Sequence, residues 1–242
     1  MENINEILEK NSYPGRGIII GLDEKGENAV IAYFIMGRSE NSRNRIFILD
    51  GDDVKTKAFE ESRLKDPSLI IYTPVKVLDE KTIVTNGDQT QTIFDALKDG
   101  KSFEQALRTR TFEPDAPNFT PRISGIVEIF NKTVKYKLSI IKSSNQAGNS
   151  TQRFFYEYPE PTPGQGHFIH TYMRDQNPLP SFCGEPHVVK ISENIENFSD
   201  SIWKSLDSDN KISLFSRFIN IKTGKIKTRI INKNQQKGAE KL

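Results

Sequence analysis

The chain has 242 residues, with 34 lysines and arginines against 32 aspartates and glutamates, a formal net charge of +2. A balance this close argues against a nonspecific nucleic-acid binder, whose affinity rests on a large basic excess. The single cysteine, Cys183, excludes an internal disulfide or a cysteine metal cluster. No run reaches the ~18 apolar residues of a spanning helix, and the N-terminus lacks a basic-then-apolar order, so a soluble cytoplasmic protein is expected.

In chain order, Ile4, Ile7 and Leu8 predict a short helix over 3–10, broken at 13–17 by Pro14 and Gly15. Strands are predicted at 17–22, 29–36 and 45–49, the first two joined by a turn at 23–28. Residues 68–78 and 82–85 supply two or three more short strands. Asp88 with Gln91 predicts a capping box ahead of a helix that Gly100 ends, and Ser102 with Gln105 repeats the device. Three prolines make 111–122 an irregular loop. A hairpin at 123–130 and 134–141 follows, then strands at 153–158 and 167–173, a helix at 195–206 and a hairpin over 212–232. The polar tail from 233 is expected to be disordered. One catalytic domain over 1–191 is expected, with 192–242 as an extension packed on it.

The densest polar segment is 37–45, which holds Arg38, Arg43 and Arg45 with two asparagines and two serines between apolar runs. Arginine's planar fork suits a phosphate, and a plain turn needs no such set. Other polar segments, among them 113–118, also fall at strand ends and in loops, where binding residues concentrate. No Walker A loop, His-Glu-x-x-His or Gly-x-Ser-x-Gly pattern is present.

Tyr13-Pro14-Gly15-Arg16, segment 37–45, Tyr72-Thr73-Pro74, Val84-Thr85-Asn86-Gly87 and Thr120-Pro121-Arg122-Ile123 stand in one order. That ordered set resembles the archaeal-type IMP cyclohydrolase family over residues 13–191. Its bacterial branch is similar in 113–118, His170-Thr171-Tyr172 and Pro178-Leu179-Pro180-Ser181-Phe182. The resemblance implies an α+β fold, a four-layer α-β-β-α sandwich of two mainly antiparallel sheets, like that of N-terminal nucleophile hydrolases. It implies ring closure of 5-formamidoimidazole-4-carboxamide ribotide to IMP with loss of water. It also implies no metal, no organic cofactor, a small-molecule ribotide as partner, and a tendency to form homo-oligomers. An autoprocessed nucleophile is not expected, because the first core strand opens near Arg16 and Cys183 lies far downstream.

Beside the resemblance, the residues leave alternatives open. Arg38, Ser39, Arg43 and Arg45, grouped with Arg16 and Asn44, are expected at the phosphate and ribose; the plain alternative is ion pairing of Arg43 and Arg45 with Asp50, Asp52 or Asp53. Arg122 is a candidate for the formyl oxygen or the base, or an ion pair with Asp115. Tyr72 is a candidate donor to the departing oxygen, or a core tyrosine. Asn86 reads the carboxamide, or only makes a turn. Asp115 and Glu128 are candidate bases, with an edge-strand glutamate as the alternative for Glu128. His170 and Tyr172 share a face if their segment is extended, and are candidates to line the pocket. Two other functions stay open: a purine-nucleotide-binding protein without turnover, and a single-strand nucleic-acid module using Arg153-Phe154-Phe155-Tyr156 and the basic hairpin 222–229.

Overall fold

The computed structural model describes residues 1–234; the rest of the expected disordered tail lies outside the described residues. Along the chain run α1 (Ile4–Glu9), β1 (Arg16–Leu22), β2 (Asn28–Met36), α2 (Glu40–Arg43), β3 (Arg45–Asp50), β4 (Asp53–Ala58), β5 (Val75–Leu78) and β6 (Lys81–Thr85). Next come α3 (Gln89–Lys98), α4 (Phe103–Arg108), β7 (Arg122–Phe130), β8 (Thr133–Ser143), β9 (Thr151–Tyr158) and β10 (Gln165–His170). β11 (His187–Lys190), α5 (Ile195–Ser205), β12 (Lys211–Asn220) and β13 (Ile226–Asn232) follow.

The strands pair antiparallel in two sheets, ordered β11-β10-β1-β2-β12-β13 and β3-β4-β5-β6-β7-β8-β9. Side chains alternate across a strand, so β1 and β2 can be apolar throughout only if both faces are covered. They are. Ile18, Ile20 and Tyr33 face Phe47, Val84 and Leu138 of the other sheet. Ile19, Val30 and Phe34 face Ile4 and Leu8 of α1 and Phe198 and Ile202 of α5. On the far side, Ile83 and Ile126 pack under Ile93, Phe103 and Leu107 of α3 and α4. The layers therefore run helices, sheet, sheet, helices, as the resemblance implied.

Several local expectations change. β4 and β11 were not anticipated, and residues 68–74 are irregular instead of a strand. α2 interrupts the arginine segment, capped by Ser39, whose side chain accepts from the Ser42 N–H. Asp88 makes no side-chain cap on α3, because its carboxylate is taken by Arg110 and Arg122. The Ser102–Gln105 capping box forms on α4. β10 stops at His170, since the Thr171 N–H turns to the carbonyls of Pro14 and Arg16. β12 is an interior strand, hydrogen-bonded to β2 on one side and β13 on the other.

Candidate active site

Charged side chains collect where β1, β3 and β7 begin. Arg16 opens β1, and its guanidinium lies 3.9 Å from the Glu113 carboxylate, with both residues buried. Burial works against the Arg16 charge, but Glu113, Tyr172, Tyr72 and Tyr13 more than offset it and hold the guanidinium well above its usual range. Arg45 opens β3 and is 0% exposed. Its Nε donates to the Ser42 carbonyl at 2.8 Å and its Nη2 to Ser42 Oγ at 3.0 Å, so α2 serves to anchor it. Burial lowers the Arg45 pKa.

Tyr72 sits on the irregular stretch before β5, fixed by its N–H donating to Thr56 Oγ1 at 2.7 Å. Its hydroxyl meets that of Tyr33 at 2.7 Å. Burial raises both phenols, with Arg45 and Arg16 opposing the rise at Tyr72. Arg122 opens β7 and donates from Nη1 to Asp88 Oδ1 at 2.6 Å and to Gln89 Oε1 at 2.7 Å. Its ion-pair partner is thus Asp88, not Asp115. Glu113 lies among these groups: burial raises its carboxyl pKa, against the pull of Arg16, Arg122 and Arg45.

Three guanidinium nitrogens in this cluster are buried without a hydrogen-bond partner: Arg16 Nε, Arg45 Nη1 and Arg122 Nε. Buried donors are nearly always satisfied, and a charged donor left alone is costly. Such an arrangement can receive an anion or a developing oxyanion. Arg38 stands outside this set, 5.1 Å above the Tyr13 ring and paired with Asp175 at 2.7 Å. A cleft of about 560 Å³ adjoins the 113–120 loop, lined by Asn118, Phe119, Gln176 and Leu179 among others.

The cluster therefore unites Arg16, Arg45, Tyr72, Arg122 and, through Thr120, Tyr172 and Asp115. Other candidates lie elsewhere. Glu128 is about 20 Å along β7 from Arg122 at ~3.3 Å per residue, where it pairs with Lys135 at 3.0 Å. Arg43 is exposed and donates to Gly37 O and Asn210 Oδ1, not to the Asp50, Asp52 or Asp53 partners considered. The Ser39 hydroxyl oxygen caps α2. Asn44 clasps the Glu60 backbone through both amide atoms. Asn86 likewise donates to Pro121 O and accepts from the Ile123 N–H and Gln89 Nε2, which fixes the start of β7. His170 faces the helix layer between Phe168, Phe182 and His187, its Nδ1 on the Tyr172 carbonyl at 2.8 Å. The strand ends at His170, so strand alternation does not relate it to Tyr172, whose ring packs with Tyr13 in the helix-side core.

In the Arg153–Tyr156 run, Phe155 packs against the core beneath α3 and α4, Tyr156 against the core between the sheets, and Arg153 donates to the Arg110 carbonyl, so Phe154 is the run's exposed aromatic ring. Arg229 of the basic hairpin is paired with Asp200. Sequence reasoning missed Glu113 and Tyr33 as site residues. Glu113 differs from Asp115 by no local signal, and Tyr33 reads as one more apolar position of β2.

A family model described as "IMP cyclohydrolase-like protein" matches residues 13–224, most of the chain. The chain belongs to that family. It is 33% identical over 120 residues to the IMP cyclohydrolase of Methanopyrus kandleri, covering 48% of this chain and 59% of that protein. It is 32% identical over 120 residues to the IMP cyclohydrolase of Methanococcus maripaludis strain C5, covering 48% and 58%. The match thus spans less than two thirds of the length of these curated relatives. All the residues of the charged cluster lie inside the family match. No described helix is long and apolar enough to cross a membrane.

Proposed function

We propose that this member of the IMP cyclohydrolase-like family closes the purine six-membered ring of 5-formamidoimidazole-4-carboxamide ribotide, giving IMP and water. The observation that carries the reading is the trio of buried, unpartnered arginine donors around Glu113 and the Tyr33–Tyr72 hydroxyl pair. Ring closure asks for that combination. The carboxamide nitrogen attacks the formyl carbon of the same molecule, so fixing one conformer lowers much of the barrier. As the C–N bond forms, the nitrogen loses a proton and the formyl oxygen gains one. In the second step the resulting hydroxyl takes another proton and leaves as water, while a ring nitrogen loses its own. Two protons pass from nitrogen to the departing oxygen, with no change of oxidation state.

The Tyr72 hydroxyl, between Tyr33 and the Arg16 and Arg45 charges, is the donor toward that oxygen. Glu113, whose carboxyl burial pushes above the usual carboxylate range, is the proton-exchanging carboxyl among these groups. Arg38, the most accessible of these arginines and held by a carboxylate, is the group that receives the 5′-phosphate. Residues after 191 belong to the same catalytic unit, since β12 completes the sheet that carries Arg16. The test is incubation of the purified protein with the formylated ribotide, followed by the absorbance of IMP. Binding of IMP with no turnover would reject the enzyme reading and leave a purine-nucleotide-binding protein.

A further inference from the structure

Loop 113–120 closes on itself, with the Glu113 N–H donating to the Thr120 carbonyl at 2.9 Å. Inside it, Asp115 Oδ1 accepts the Thr120 N–H at 2.7 Å and Oδ2 accepts the Thr120 hydroxyl. The same hydroxyl meets the Tyr172 hydroxyl at 2.5 Å, across 52 residues of sequence. Thr120 and Tyr172 are buried, while Asp115 reaches partial exposure. Arg16 and Glu113 act on the Tyr172 phenol, which puts that end of the chain in the cluster.

The direction of these bonds follows from the atoms available. An ionised carboxylate only accepts, and a threonine hydroxyl has one hydrogen. Thr120 therefore donates to Asp115, and Tyr172 donates to Thr120. That leaves the Tyr172 oxygen presenting lone pairs to the site. Arg16 and Glu113 act on Tyr72 as well, so what sets Tyr172 apart is its bond to Thr120 and, through it, to Asp115.

We propose that Tyr172, Thr120 and Asp115 form a proton relay that removes a proton from the substrate's nitrogen. The inference rests on the ring-closure reading given above. A nitrogen proton passes to the Tyr172 oxygen as the Tyr172 proton passes to Thr120 and the Thr120 proton to Asp115 Oδ2. Each oxygen ends with the bonds it began with, and Asp115 holds the added proton, which it exchanges with water. Base and acid are thereby separated, Tyr172 by its bond to the Thr120–Asp115 pair and Tyr72 by its bond to Tyr33 beside Arg45. Thr120 and Asp115 touch no substrate; they act through Tyr172.

A carboxylate that merely closes the loop is replaceable by its amide, whereas a relay is not. In Asp115→Asn the amide oxygen still accepts the Thr120 N–H, but the amide nitrogen donates to the Thr120 hydroxyl. The hydrogen bonds then run the other way, Thr120 donates to Tyr172, and the Tyr172 proton has no acceptor in Thr120. With wild-type turnover established, Asp115→Asn is expected to bind IMP with wild-type Kd and to lose kcat by at least about 100-fold, the scale of general acid–base catalysis. Thr120→Val loses kcat similarly, and Thr120→Ser retains most of it. Wild-type kcat in Asp115→Asn overturns the relay and leaves ring closure standing. Loss of IMP binding in step with kcat makes the loop a binding element and also overturns it. If Asp115→Asn does not fold, the Thr120 pair decides: equal kcat in the Val and Ser variants overturns the relay. A wild-type protein that forms no IMP overturns the function and the relay together.

Discussion

Arg45 is enclosed on all sides, two of its nitrogens satisfied by Ser42 and the third by nothing. A buried charge in that condition is a liability for folding, which a flexible apolar side chain of similar length would relieve. Arg45→Met is therefore expected to keep or raise the Tm while lowering turnover by at least about 100-fold. A matched loss of Tm and activity would make Arg45 a structural residue. Tyr72 allows a sharper subtraction, since Phe removes only the hydroxyl. Tyr72→Phe is expected to retain IMP binding and to lower kcat about 100-fold. Wild-type turnover would exclude Tyr72 as the donor. Arg45 was a candidate because dense donors follow an apolar run, and Tyr72 only because its motif matches the family's. Glu113 was not: its burial comes from a chain reversal that places it under Arg16, and nothing within the loop's own sequence signals that depth.

At the scale of elements, the segment ahead of β1 meets the Thr171–Tyr172 turn at close range. Gly15 has a φ of +78°, a conformation costly for any residue with a Cβ. A Cβ there would lie 2.2 Å from Thr171 Oγ1 and 2.5 Å from the Tyr172 ring. The ring also stacks on Tyr13, with centroids 5.9 Å apart. Gly15→Ala is thus expected to displace Tyr172 and reduce kcat at least as much as Thr120→Val, with the far-ultraviolet spectrum unchanged. Unaltered kcat would show that the turn tolerates the shift. The strands with two covered faces were readable as apolar runs, whereas β4 and β11, short and half-exposed, carry too little pattern. The Asp88 cap failed for a nonlocal reason: two arginines compete for its carboxylate, and charge-assisted bonds exceed a single backbone N–H.

For the whole molecule, β12 places Leu214 and Phe218 in one core and Phe215 and Ile219 in another, beside β2. Truncation after residue 191 would turn the β12-paired edge of β2 into a free sheet edge and uncover the part of its helix-side face that α5 shields. The 1–191 fragment is expected to lack cooperative unfolding by circular dichroism; a sharp urea transition would establish an independent unit. Acid stability provides a second test. Burial lowers His167 to about 4 and His170 to about 3, from the usual 6.5. The unfolded chain therefore binds these protons first, so stability falls as pH drops below about 6.5, by up to ~1.4 kcal/mol per pH unit for each histidine. The urea midpoint should fall between pH 6.5 and 4, with a shallower slope in His170→Gln; an unchanged slope would remove His170 as a contributor.

By itself, the sequence determined the strand-rich class and, through the family resemblance, the four layers. Those readings rest on local pattern, which survives in a linear string. Only the tertiary structure decided that Arg45 enters the cluster while Arg43 and Asn44 serve the backbone, and that Glu113, Tyr33 and Thr120 join them. Neighbouring side chains on a strand or short helix point in different directions, and which direction is the interior depends on where the second sheet lies.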